Sequence, residues 1–242
     1  ALISITWIPT NGGLVNPAAA VGKLAQKYGV PYLLDACQAI GQMPVDVAQI
    51  GCDFLTATGR KFLRGPRGIG FLYVREALIA GLEPVVIDHF AAPWVGENTY
   101  ALRPDARRFE SWENAYALRA GLGAAVDYAL ELGLGAIQDR AWGLAALLRD
   151  QLKTIGAHIH DAGDLHCAIV SFSIEGLDPG AVAATLRARG INISATHPSS
   201  TLLDAQARNL PVMLRAAPHY YNNEAEIAQL IAALKALRSA AI

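Results

Sequence analysis

Asp35 ends the apolar run Tyr32-Leu33-Leu34, and Gln38 follows about one helical turn later. Lys61 leaves a second apolar run, Phe54-Leu55-Thr56-Ala57, by way of Thr58-Gly59-Arg60. Such runs read as buried parallel strands. An acid at the carboxyl end of one faces the crevice where open α/β sheets bind ligands. The spacing lets Asp35 and Gln38 face one small object. Lys61 stands between a cation, Arg60, and an apolar wall, Phe62, and such neighbours favour an amine that attacks an aldehyde. An acid beside a pyridine nitrogen keeps it protonated, so the ring can take up an electron pair. The Thr58 hydroxyl and the Arg60 guanidinium suit a phosphate. Together Asp35, Gln38, Thr58, Arg60 and Lys61 predict most of a pyridoxal 5'-phosphate (PLP) site. Each also has an ordinary structural use. A strand-end Asp can cap a helix or form a turn, a Lys in a basic loop can be a solvated charge, and Arg64-Gly65-Pro66-Arg67-Gly68-Ile69-Gly70 can be a tight β-connection. Their joint spacing is what points to chemistry.

The motifs resemble those of the class V aminotransferase family of fold-type I PLP-dependent enzymes. That group includes cysteine desulfurases, selenocysteine lyases, isopenicillin-N epimerase-like proteins and kynureninase. Its pattern is Asp-x-x-Gln or His at a strand end, then Ser/Thr-x-His/Arg-Lys, then Gly-Pro-x-Gly-x-Gly. Here the same order reads Asp35-Ala36-Cys37-Gln38, Thr58-Gly59-Arg60-Lys61 and Gly65-Pro66-Arg67-Gly68-Ile69-Gly70. The resemblance implies Lys61 as the catalytic Schiff-base lysine, Asp35 at the pyridine nitrogen, Gln38 near the phenolic oxygen, and Thr58 with Arg60 at the phosphate. It implies Asn11, in the turn Pro9-Thr10-Asn11-Gly12-Gly13, near the cofactor's oxygen and the substrate carboxylate; alone, Asn11-Gly12 is a turn former. It also implies an α/β fold: a three-layer fold-type I large domain lacking its amino-terminal part, over residues 1–134, and a small α+β carboxyl-terminal domain, over residues 135–242. Members of the group extend further at the amino end, so the chain is expected to be the carboxyl-terminal portion of a longer protein. A homodimer is implied as well. One departure stands out. Where the group has Arg-Phe/Tyr-Glu-Gly-Thr, with the Thr on the other subunit's phosphate, Arg108-Phe109-Glu110 runs into Ser111-Trp112-Glu113-Asn114, so Ser111 or Asn114 would have to substitute.

The elements that must position these residues follow from pattern. The 242 residues are 53% hydrophobic and 17% charged, with a net charge of -1 and a mean hydropathy of +0.27. That supports an ample core and disfavours nucleic acid or membrane as partner. Cys37, Cys52 and Cys167 have no metal-ligand spacing and fit a reducing, cytoplasmic compartment; Cys37 and Cys52, among apolar neighbours, read as core. No metal is expected. Leu2–Ile8 reads as a central strand, and Asn16-Pro17 as the cap and first residue of a helix with Val21, Leu24, Ala25 and Tyr28 on one face and Gly29 at its end. Strand, helix and the strand Pro31–Asp35 form a βαβ unit, hence a parallel sheet. Gly68–Arg75 is a further strand, Glu83–Asn98 an irregular segment, and Tyr116–Leu132 a long amphipathic helix.

Beyond Gly133 the spacing predicts a helix over Ala136–Ile155 with Ile137, Ala141, Leu144, Leu148 and Leu152 inward. Strands follow at Ala168–Ile174, Ile191–Ser194 and Val212–Ala216. Helices follow from Pro179 to Arg189 and from Glu224 to Leu237, the last with Asn223 and Glu226 as a capping box. The resemblance implies that Arg215 binds the substrate α-carboxylate, since Arg215, Tyr221 and Asn222 match Arg-x-Ser-x-x-x-Tyr-Asn with Ala217 for the serine. A guanidinium fork suits a carboxylate; an Arg on an apolar strand can also pair with a structural acid. In desulfurases of the group a mobile loop after the Gly-Ile strand carries the sulfur-accepting cysteine, but Gly190 to Ser200 contains none. A persulfide needs a thiolate, so a standard cysteine desulfurase is not expected. The leading expectation is a PLP-dependent enzyme acting on an amino acid or amine, aminotransferase-like. The alternatives are a C–S lyase, an epimerase, or a non-catalytic scaffold of the same fold.

Overall fold

Four short strands carry Asp35 and the approach to Lys61 in the computed structural model, which describes residues 1–240. The chain divides into two compact units: Ala1–Trp7, Pro17–Ile40 and Val45–Glu131 in one, and Ile8–Asn16, Gly41–Pro44 and the chain from Leu132 on in the other.

In the first unit β1 (Ile3–Thr6), β2 (Tyr32–Asp35) and β3 (Phe54–Thr58) run parallel, with Thr6 opposite Asp35 and Asp35 opposite Thr56. β4 (Gly70–Val74) pairs antiparallel to β3. Parallel neighbours need crossovers, supplied by α1 (Ala18–Tyr28) and the short α2 (Val47–Ile50). Apolar residues at the strand centres, Leu34 and Leu55, are buried, as a helix-covered sheet requires. Among the described residues β1 lies at one side of this sheet, with Ile3, Ile5 and Thr6 partly buried and Ser4 exposed.

α1 begins one residue later than expected, with Pro17 at the cap and its carbonyl accepting from Val21 N (3.1 Å). It buries Ala18, Gly22 and Ala25 and leaves Leu24 and Tyr28 exposed, so the expected apolar face is displaced. Close approach explains this: a Cβ on Gly22 would stand 1.9 Å from the Ile50 carbonyl oxygen, a spacing only small residues allow.

After β4 come α3 (Glu76–Ile79), a hairpin of β5 (Trp94–Gly96) and β6 (Thr99–Tyr100), a 3₁₀ turn at Ala106–Phe109 and α4 (Tyr116–Leu132). The segment that reads as irregular is organised by its polar groups. Asp88 accepts from Phe90 N, Ala91 N and Trp112 N at 2.9, 3.0 and 2.7 Å. Buried Arg108 donates to the carbonyls of Ile79, Leu82 and Arg103.

In the second unit α5 (Leu134–Thr154) buries Ile137, Ala141, Leu144, Leu148 and Leu152, the stripe its spacing predicts. An antiparallel sheet of β7 (His158–Ile159), β8 (Val170–Ser173), β9 (Ser194–Thr196) and β10 (Met213–Ala216) has the order β7-β8-β10-β9. α6 (Pro179–Ala188) is capped by Asp178, which accepts from Ala181 N, and α7 (Leu202–Arg208) and α8 (Glu224–Ala240) follow. β9 begins three residues later than the strand expected from Ile191, because Ile191 N still bonds back to Leu186 O at the end of α6. Asn223 and Glu226 form the expected reciprocal cap, at 2.9 and 3.0 Å. Among the described residues no single helix is long and apolar enough to cross a membrane, and no cluster of His, Cys, Asp and Glu is disposed to hold a metal.

Candidate active site

β2 and β3 are adjacent and parallel, so the residues leaving their carboxyl ends meet. Ala36 N donates to Thr56 O at 2.9 Å, tying the exits together. Cys37 N donates to Asp35 Oδ1 at 2.9 Å, an Asx turn that takes the chain to buried Gln38. Beyond Thr58, Gly59 N donates to Ile69 O and Gly65 N to Gly59 O, at 2.9 and 2.7 Å, closing a small loop that bears Arg60 and Lys61. Phe62 and Leu63 are buried and supply the apolar wall beside half-buried Lys61; Arg60 is exposed.

Cys37 reports where these groups meet. It is half-buried rather than a core residue, unlike Cys52 and Cys167, which are sealed. Burial pushes its thiol pKa up, and a hydrogen bond to the Asp35 side chain and that carboxylate's charge push it further. The Lys61 charge pulls it down, as does the Thr58 backbone. The Asp35 carboxylate, the Lys61 charge and the Thr58 backbone thus all act on the Cys37 sulfur. Nothing in the apolar pattern singled out Cys37; its position two residues after a strand-end acid is the signal.

Elsewhere in this unit Arg75 pairs with Asp53 at 2.7 Å. Ser111 and Asn114 are exposed and bonded to each other, Asn114 Nδ2 to Ser111 O at 3.4 Å.

The second unit holds Asn11 and Arg215. Arg215 Nε donates to Thr10 O at 2.8 Å. Burial pushes its guanidinium pKa down, and among the described residues no carboxylate pairs with it. The structural-acid alternative for Arg215 therefore finds no acid there. Asn11 is buried; its Oδ1 accepts from the Thr196 hydroxyl at 3.1 Å, while Nδ2 has no acceptor among the described residues. The second unit thus holds a half-buried cation without a carboxylate partner and, on the turn whose Thr10 carbonyl that cation binds, an amide N–H without an acceptor among the described residues. Thr196 escaped sequence reading because its partner is 185 residues away.

Several known proteins are similar to this chain. The family profile described as aminotransferase class-V matches residues 1–230. A probable cysteine desulfurase of Methanothermobacter thermautotrophicus is 32% identical over 230 residues, covering 93% of this chain and 58% of the relative. The chain thus spans less than two thirds of the curated relatives it matches. The apo structure of a cysteine desulfurase from Thermococcus onnurineus superposes with a TM-score of 0.93 at 28% identity, covering 99% of this chain and 60% of that one. The cystine C–S lyase C-DES, solved with its product cysteine persulfide, has the same fold, with a TM-score of 0.84 at 24% identity over 97% of this chain and 60% of that one. A variant of C-DES has been solved with glycine covalently linked to its PLP cofactor.

Proposed function

Because the chain belongs to the aminotransferase class-V family, we propose that it is the lysine-bearing part of a PLP-dependent enzyme that acts on an amino acid. Its fold is the α/β, fold-type I architecture of the cysteine desulfurase structures it matches. The observation that carries the reading is the parallel pairing of β2 with β3, which brings the Asp35 turn and the Lys61 loop out of neighbouring strand ends. The residues present fit PLP. They offer a carboxylate for a pyridinium N–H, an amine for an aldehyde carbon, a hydroxyl and a guanidinium for a phosphate, and a buried amide N–H with no acceptor of its own. When bound, PLP supplies an electron sink for negative charge developing at the substrate's Cα.

In this reading Lys61 would hold PLP by its aldehyde, and its ε-amine would carry a proton to or from the substrate's Cα. Asp35 would keep the ring nitrogen protonated, Gln38 would serve the phenolic oxygen, and Thr58 and Arg60 would take the phosphate. Asn11 and Arg215 bind the substrate carboxylate, and the guanidinium fork fixes its plane.

Aminotransferase-like chemistry on an amino acid is the leading reading, with epimerisation a variant of the same proton transfer. A second reading, C–S lysis of a cysteine-like substrate, is favoured by the relatives' names and by the state of the cysteines. Burial raises the thiol pKa of all three, Cys167 to about 11, so none of them is poised as the thiolate that would accept sulfur. We also propose a homodimer: α4 buries only Ala129 and leaves Tyr116, Tyr128 and Leu130 exposed.

The test uses the full-length protein with PLP. A visible absorbance band that changes with an amino acid and is absent in Lys61→Ala supports the reading; no band in the wild type contradicts it. Ammonia and a keto acid released together from cystine mark the lyase, and amino transfer to a keto acid without free ammonia marks the aminotransferase.

A further inference from the structure

The two ends of the Asn11 side chain are treated differently. Oδ1 accepts from the Thr196 hydroxyl at 3.1 Å, and Nδ2 is buried without an acceptor among the described residues. Both residues are buried, Asn11 at 7% and Thr196 at 8% exposure, and a buried N–H left open is rare unless a ligand or a water completes it.

The backbone that presents Asn11 is fixed on every side. Thr10 O accepts from Arg215 Nε at 2.8 Å, Gly12 N donates to Ser171 Oγ at 3.0 Å, and Gly12 O and Gly13 O accept from Ala162 N and Cys167 N at 2.8 Å each. Gly13, at φ +59°, has no room for a side chain, since a Cβ would lie 2.7 Å from Ile169 O. What remains variable is which end of the amide faces which neighbour.

A hydroxyl serves an amide from either end. Only with the hydroxyl donating to Oδ1 does the N–H edge stay available to an anion. The strand pairing that sets Thr196 opposite Met213 also sets Ser194 opposite Arg215, so β9 and β10 bring the hydroxyl and the guanidinium to the same turn.

We propose that Thr196 is a positioning residue: it holds Asn11 by its carbonyl end so that Nδ2 donates to an anionic oxygen, either the cofactor's phenolate or the amino acid's carboxylate. This rests on the PLP reading above, and it adds a residue that none of the sequence motifs contains.

The experiment compares full-length wild type, Thr196→Val, Thr196→Ser and Asn11→Ala, each loaded with PLP. Readouts are the pH midpoint of the bound-PLP absorbance band, its half-saturation with L-alanine and with ethylamine, which lacks the carboxylate, and the thermal midpoint. If the carboxylate is the partner, Thr196→Val and Asn11→Ala raise half-saturation by L-alanine about ten-fold and leave ethylamine unchanged. If the phenolate is the partner, both shift the pH midpoint of the band. In either case Thr196→Ser restores wild-type behaviour. A Thr196→Val protein that matches wild type in both readouts while Asn11→Ala does not overturns the proposal. So does a Thr196→Ser protein that falls with Thr196→Val and shares a lowered thermal midpoint. A wild type with no PLP band fails the functional reading itself and takes this proposal with it.

Discussion

At the scale of single residues, the Cys37 thiol is raised first by burial and then by Asp35, with Lys61 pulling against both. In the PLP-free full-length protein, Asp35→Asn should therefore speed alkylation of Cys37 by iodoacetamide at pH 8 by roughly three- to ten-fold. Lys61→Ala should slow it, and peptide mapping checks both. Sealed Cys52 and Cys167 stay unmodified until the chain unfolds. Equal rates in all variants would mean that the two charges do not share that sulfur. Most of this grouping is legible in sequence, because strand-end Asp35, Gln38 and loop Lys61 lie close along the chain. The Asn11–Thr196 bond is not, because a contact across 185 residues exists only once the second unit has folded.

At the scale of elements, glycine contacts hold the site's supports together. A Cβ on Gly70 would stand 2.2 Å from Ala57 O, across the β3–β4 pairing that flanks the Lys61 loop. Gly70→Ala should cost about 1–3 kcal/mol in urea unfolding, and a neutral result would contradict the tight pairing. At α8, Asn223→Ala removes one arm of the reciprocal cap and should cost about 1 kcal/mol. Helices with a long apolar stripe were legible: α5 buries the residues its spacing predicts. α1 was not, because its inward face is chosen by how closely Gly22 approaches Ile50, and periodicity ranks Leu24 and Tyr28 above glycine. β7, at His158–Ile159, is too short to leave a periodic trace.

At the scale of the whole molecule, stability should depend on pH through His160. Burial pushes its imidazole pKa down, the charges of His158 and Arg208 add to this, and Asp161 opposes it. The fold favours the neutral ring, which contacts Ser173 Oγ at 2.8 Å, whereas the unfolded chain takes up a proton near pH 6.5. The contribution is full above that value and is lost as pH falls below it, by at most about 1.4 kcal/mol per pH unit. Urea titrations at pH 7.5 and 5.5 should show a larger loss in wild type than in His160→Gln; equal losses would contradict this. The same unit holds a buried ion pair, Arg149 Nε to Asp161 Oδ2 at 2.7 Å, and Asp161→Asn should cost about 3 kcal/mol by stranding the guanidinium.

The most direct test of the central claim maps one covalent bond. The full-length protein is loaded with PLP, reduced with borohydride and digested, and the modified lysine is found by mass spectrometry. The lysines of this chain are Lys23, Lys27, Lys61, Lys153 and Lys235. A pyridoxyl group on Lys61 alone is the predicted result; one on another lysine, or none, would contradict the account.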